Sequence, residues 1–206
     1  MRQQLNTMLD LQQAINCQID PAWMARDFPW YRAIWVECAE LLDHHGWKWW
    51  KQQPPDLEQV KLELVDIWHF GLSLLLQRGL PRDQLLTQIE QELAAPCTSR
   101  DFRLELEQFV QQVLATRDFD VAGFGRLLAG AGLDLDDLYL RYVGKNVLNH
   151  FRQDHGYQTG DYRKLWHGRE DNEHLIAAAA ELDSASPHFQ DDLYQALARR
   201  YRESTV

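Results

Sequence analysis

"PPDLEQVKLELVDIWHFGLSLLLQRGLP", residues 54–81, decides the fold of this chain. Asp56 is placed to cap a first helical turn, and Gln59, three residues on, completes the spacing of a capping box. Apolar residues then recur at helical intervals until Gly79 and Pro81 end the pattern. The stretch predicts one long helix running to Arg78. Its apolar stripe carries Val60, Ile67, Phe70 and Leu74, and on the same stripe stand two acids three apart, Glu63 and Asp66.

The preceding segment, "PWYRAIWVECAELLDHHG" (29–46), repeats the arrangement. It predicts a helix from Pro29 to His45 that stops at Gly46. Glu37 and Glu40 lie about 60° apart around its axis, on the side of Ile34 and Leu41. Both pairs are expected to face a packed interior. Carboxylates are costly to bury ionised unless paired with cations or bound to metal, and Lys48, Lys51 and Lys61 lie off these stripes.

Four carboxylates without a cysteine suit a hard cation, Mg²⁺ or Mn²⁺. Two ions about 3.5–4 Å apart can share such ligands. A single E-x-x-E turn is commonplace on a solvated helix; two on consecutive apolar stripes are not. Di-iron bundles also set carboxylates into a helical core, but they use Glu-x-x-His on two helices. Here the i+3 partners are Glu40 and Asp66, and His44 and His69 read as core hydrogen-bonding groups.

Helical punctuation continues through the chain, with β-branched residues few beside Leu, Ala, Gln and Glu. Helices are expected over about 5–15, from Asp20-Pro21, and over 82–94, 100–116, 121–130, 136–154, 171–183 and 188–202. The glycine- and aromatic-rich "GYQTGDYRKLWHGR" (156–169) reads as an ordered loop. The fold class is all-α, a helical bundle whose paired carboxylate helices form a central metal site. Its 206 residues suit a single domain over 1–206, with 80–135 as a variable helical lobe.

Composition narrows the function classes. At 45% hydrophobic with eight tryptophans, the chain is neither disordered nor fibrous. A net charge of −10 argues against a nucleic-acid partner, which needs a basic surface. There is no run of about 18 apolar residues, and the polar start "MRQQLNTMLD" is unlike a signal peptide. Cys17, Cys38 and Cys97 are scattered without CxxC spacing, as suits reduced thiols. A cytoplasmic protein without a membrane partner is expected.

Against the acidic total, 141–169 holds six basic residues and only Asp154 and Asp161. Lys145, Asn149 and Arg152 fall at i, i+4 and i+7, one helix face. An amide between two cations suits a polar base or sugar flanked by phosphates.

"LQQAIN" (11–16), "ECAE" (37–40), "GWKWW" (46–50), "ELVDIWHF" (63–70), "KNVLNHFRQ" (145–153) and "GREDN" (168–172) occur in that order. The set resembles the all-α, dimeric dUTPases, members of a wider group of helical nucleoside-triphosphate pyrophosphohydrolases. The resemblance covers roughly 5–78 and 139–175. It departs at Gln158, where the family often has a lysine, and it is indefinite over 80–135.

The resemblance implies hydrolysis of dUTP to dUMP and pyrophosphate, and of dUDP to dUMP and phosphate, by a homodimer. It implies two or three Mg²⁺ ions, with Mn²⁺ as a substitute, held by Glu37, Glu40, Glu63 and Asp66. Glu37, with Glu40 next to it, would be the general base. Lys145, Arg152, Tyr162, Lys164 and Arg169 would hold the phosphates. Gln12, Asn16 and Asn149 would read the base, with Trp47 and Phe70 as apolar walls, while Trp49 and Trp50 read as packing. The alternatives are a related pyrophosphohydrolase acting on another base, such as dCTP, and a nucleotide-binding helical module without turnover.

Overall fold

The structure, a computed structural model, describes residues 1–94, 101–184, 186 and 188–204. Helix dominates them: α1 (Arg2–Ile19), a 3₁₀ turn (Trp23–Ala25), α2 (Trp30–His45), α3 (Leu57–Gln77), α4 (Arg82–Leu93), α5 (Phe102–Thr116), α6 (Val121–Gly130), α7 (Leu135–Asp154), α8 (Asp171–Ala180) and α9 (Phe189–Glu203). The expected stops hold. Asp56 Oδ1 accepts the Gln59 amide at 3.2 Å and so caps α3. Gly46 at φ 85° and Gly79 at φ 65° close α2 and the turn after α3 in a conformation suited to glycine.

The expected loop 156–169 hides a small hairpin. Strands β1 (Leu165–Trp166) and β2 (Arg169–Glu170) pair antiparallel across His167 and Gly168. Both turn residues have positive φ, 50° and 77°, as a two-residue type I′ connection requires. A strand of two residues has no alternation to read, so only the His-Gly dipeptide signals it. Cys97 lies outside the described residues; Cys17 and Cys38 are free thiols.

The chain divides into two compact units, Met1–Tyr139 and Leu140–Val206, with the boundary inside α7. In the first, α3 is the central element, packing on α1, α2 and α6. Its Trp68 is fully buried and stacks on Phe124 of α6, centroids 5.0 Å apart and planes 12° from parallel. Phe119 and Phe109 complete the cluster at 5.8 Å from each other. Burying each such ring stabilises the unit by roughly 1.5–3 kcal/mol, which is why the long apolar stripe of 57–77 forms the spine.

The second unit is organised by Phe151 of α7. Its buried ring meets Trp166 of β1 and Tyr194 and Tyr201 of α9 edge-on, at 5.8, 5.3 and 5.4 Å. The Arg163 guanidinium caps the end of α9, donating to the carbonyls of Ser204 and Tyr201 at 3.2 and 3.0 Å. Helix α8 packs on α9 and starts with a reciprocal capping box between Glu170 and Glu173.

Candidate functional site

The loop between α2 and α3 sets the register of the acids. The Asp56 amide donates to the His44 carbonyl at 2.9 Å, so α3 begins beside the end of α2. Glu37 lies seven residues before His44, and Glu63 lies seven after Asp56. Equal rises therefore bring the two glutamates level. Asp66 follows one turn on. One carboxylate oxygen from each of Glu37, Glu63 and Asp66 falls within 4.8 Å of the other two. Glu63 is buried, and the others are partly buried.

Glu40 does not join this group. Its side chain is exposed, whereas the reading of the helical face placed it inward with Glu37. The 60° arc between the two glutamates spans the edge of the buried stripe, and Glu40 falls on the solvent side. His44 lies beside Glu63 instead, Nε2 to Oε1 at 3.5 Å. The donor set of three carboxylates, all oxygen and partly shielded from water, fits a hard divalent cation such as Mg²⁺. These carboxylates are also close enough to make an added positive charge favourable.

Two turns further along α3, about 10 Å from Asp66, lies a buried polar network. Ser73 is fully buried, and Gln12 and Asn16 of α1 are 4% and 3% exposed. Ser73 Oγ accepts from the Gln12 amide at 3.1 Å and from the Asn16 amide at 2.9 Å, and donates to the His69 carbonyl at 3.2 Å. Gln12 also donates to Asn16 Oδ1 at 2.9 Å. His69 Nδ1 sits 2.8 Å from Gln12 Oε1, so the ring proton is on Nδ1 and is donated there. The two amides expected from sequence are brought together, each with a fixed orientation. Ser73, which fixes them, gave no signal inside the apolar run "GLSLLLQ".

Phe70 is half-buried and stacks on Trp30 with centroids 6.1 Å apart. Trp47 is exposed, and its indole N–H donates to Asp43 Oδ1 at 2.9 Å. Lys48 donates to the same oxygen at 2.7 Å. Trp49 and Trp50, read as packing residues, are exposed at 89% and 57% and meet edge-on at 5.4 Å. An aromatic-rich loop reads as buried by composition alone. Here the rings touch edge-on but stay open to solvent.

In the second unit, α7 and the start of α8 form a basic cluster. Lys145 is 2% exposed and its Nζ donates to Asn172 Oδ1 at 2.9 Å. Arg152 donates from Nε and Nη2 to the two oxygens of Asp171, at 2.8 and 2.9 Å, and from Nη1 to Asn149 Oδ1 at 3.3 Å. The Tyr162 hydroxyl donates to Asp171 Oδ2 at 2.7 Å. Burial pushes the Tyr162 phenol up, and the adjacent Asp171 carboxylate adds to the rise, so its proton stays in place. Burial alone would raise Asp171, but the bonds and charge of Arg152, the Tyr162 hydroxyl and the charge of Lys145 hold it below the usual carboxylate range. Lys164 and Arg169 stand on the surface, within ion-pair distance of Glu170 (3.6 Å) and Glu173 (3.2 Å).

A family model described as dUTPase matches residues 4–157 of the chain. No curated protein matches it. The matched span contains all four candidate carboxylates, the amide network and the cationic face of α7, and it ends before Tyr162 and Asp171.

Proposed function

The chain belongs to the all-α dUTPase family, and from that premise we propose that it hydrolyses dUTP to dUMP and pyrophosphate, and dUDP to dUMP and phosphate, with Mg²⁺ as cofactor. The carrying observation is the pairing, along one helix, of the carboxylate cluster at Glu37, Glu63 and Asp66 with the buried amides around Ser73. The spacing of about 10 Å along α3 suits a nucleotide whose phosphates lie at the acids and whose base lies toward the amides.

Bound at those acids, two or three Mg²⁺ ions, or Mn²⁺, would neutralise phosphate charge and ease deprotonation of water. Glu37, from within the cluster, is the residue assigned to accept the proton of the attacking water, with Glu40, exposed on the same helix, as the second choice. Glu63 and Asp66 hold the opposite side of the cradle. Arg152 and Lys145 are assigned to the phosphates, with Lys164 and Arg169 as outer cations and Tyr162 as a support. The new P–O bond from water forms as the bridging P–O bond between the α- and β-phosphates breaks, which separates dUMP from pyrophosphate.

Selectivity for uracil would rest on Gln12, Asn16 and Asn149, whose amides can pair with N3–H and a carbonyl. Phe70 and Trp47 would supply apolar walls. Hydrogen-bonded readers reject a mismatched base more strongly than an apolar slot rejects a methyl group. The product dUMP would feed thymidylate synthesis, and removal of dUTP would limit uracil incorporation into DNA.

A cytoplasmic homodimer is the form we assign. No described helix is long and apolar enough to cross a membrane. A mainly apolar groove between α2 and α5, lined by Trp35, Ala39, Leu42, Leu106 and Val110 together with the polar Glu107 and Gln111, supports self-association.

Pyrophosphate release measured over the four standard dNTPs, dUTP and UTP, with Mg²⁺ and with EDTA, tests the reading. Turnover of dUTP above the rest, abolished by EDTA, is the expected result. A preference for dCTP, or turnover undiminished by EDTA, would sink it.

A further inference from the structure

Asp171 is fully buried and has no part in the reaction outlined above. Two side chains nevertheless converge on it within the second unit. Arg152 grips it side-on through Nε and Nη2, and Tyr162 donates its hydroxyl proton to Oδ2. A side-on pair of this kind fixes the plane of the guanidinium, which a single bond to a flexible partner does not. The Nη1–Nη2 edge is thereby turned away from Asp171, with Nη1 directed at Asn149 Oδ1. The next residue, Asn172, holds Lys145 at 2.9 Å. Lys145 and Arg152 lie two turns apart on α7, about 10 Å along its axis, yet adjacent residues at the start of α8 receive both.

A buried carboxylate beside an arginine could serve folding alone. Two features go beyond that. The hydroxyl of Tyr162 is spent on Asp171 rather than directed outward, adding at Oδ2 a third bond to the two that Arg152 makes to the carboxylate. The residue neighbouring it also holds the second cation assigned to phosphate.

We propose that Asp171 is the positioning residue of the anion site: it holds the Arg152 guanidinium in one plane, braced by Tyr162, so that its outer edge meets the phosphates of the nucleotide in a single preset orientation. This rests on the dUTP-hydrolysing reading and adds a residue to it. Asp171 does not touch substrate; it acts through Arg152.

The test uses the full chain with Mg²⁺ and dUTP. Wild type, Asp171→Asn, Arg152→Ala and the double variant are compared by pyrophosphate release, with folding followed by thermal melting. A misplaced guanidinium costs kcat/KM about 100-fold, in line with errors of about 1 Å elsewhere in active sites. Part of that loss appears as a raised KM, because the oriented arginine also meets the ground-state phosphates. Loss of folded enzyme would lower only the apparent kcat. The double variant is expected to be no worse than Arg152→Ala, since one residue acts through the other. Wild-type kcat/KM in Asp171→Asn, an unchanged KM, or additive losses in the double variant would each overturn the proposal.

Should Asp171→Asn fail to fold, Tyr162→Phe removes the brace and leaves the Arg152–Asp171 pair. A KM raised several-fold supports the proposal, and an unaltered KM overturns it. Wild type that releases no pyrophosphate from dUTP removes the underlying reading together with this one. Wild type that turns over normally beside indifferent variants removes this one alone.

Discussion

Ser73 Oγ lies 3.1 Å from the Gln12 amide nitrogen, joining α3 to α1 by a hydrogen bond wholly inside the protein. Seven residues earlier on the same helix stands Asp66, a member of the carboxylate cluster. One helix thus carries both chemical ends of the candidate site. The serine hydroxyl accepts from two amides and donates to a carbonyl, so deletion of one atom unsettles three partners. Ser73→Ala is expected to cost about 1–3 kcal/mol in urea denaturation, because buried donors are left without their acceptor. The freed amides should also lower the preference for dUTP over dCTP in the pyrophosphate assay. Unchanged stability together with unchanged preference would show that the hydroxyl neither satisfies nor aims these amides.

Gly71, between these two points, is required by packing rather than by conformation. A Cβ there would come within 2.6 Å of the Phe119 ring, which is locked among Trp68, Phe109 and Phe124. Gly71→Ala is expected to destabilise the first unit by about 1–3 kcal/mol, read from the urea midpoint, despite alanine's better helix propensity. A stabilised variant would mean that Phe119 yields freely.

How much of this could be read from the sequence depends on what kind of signal each residue leaves. Asp56, Gly46, Gly79 and Pro81 act through local backbone rules, so the limits of α2 and α3 were legible to within a residue or so. Glu37, Glu63 and Asp66 were legible because a carboxylate on an apolar stripe is itself anomalous. Glu40 shares the spacing but not the burial, since a helical wheel gives direction without the edge of the core. Ser73 was silent, being a small polar residue in an apolar run. Asp171 stands in the quoted "GREDN" but carried no role there, because its partner Arg152 is nineteen residues away in sequence and 2.8 Å away in space.

Metal binding should appear in stability independently of turnover. A cation that binds the folded cluster and not the unfolded chain adds about 2.7 kcal/mol at a hundred times its Kd. Added Mg²⁺ is therefore expected to raise the melting temperature of wild type, and EDTA to reverse the gain. In a Glu63→Gln, Asp66→Asn double variant the cradle loses two of its three charged members, and the melting temperature should not respond to Mg²⁺. An equal rise in both proteins would place the cation elsewhere.

The Arg152–Asp171 pair should be visible in the pH dependence of stability, with a sign fixed by the direction of the shift. Arg152 and Tyr162 hold the Asp171 carboxyl, despite its burial, below the ordinary value of 3.8. A carboxyl with a depressed folded-state pKa contributes its full stabilisation above the unfolded value and loses it as pH falls through the folded value. Asp171→Asn removes one side of a nearly buried pair and is expected to cost about 3 kcal/mol at neutral pH. Melting curves of wild type and variant should stay separated by a constant gap down to about pH 4, then converge as acid protonates Asp171 in the wild type. Convergence already near neutral pH would mean that the carboxyl titrates above its ordinary range. The guanidinium would then lack a charged partner under the conditions in which we propose that it meets phosphate.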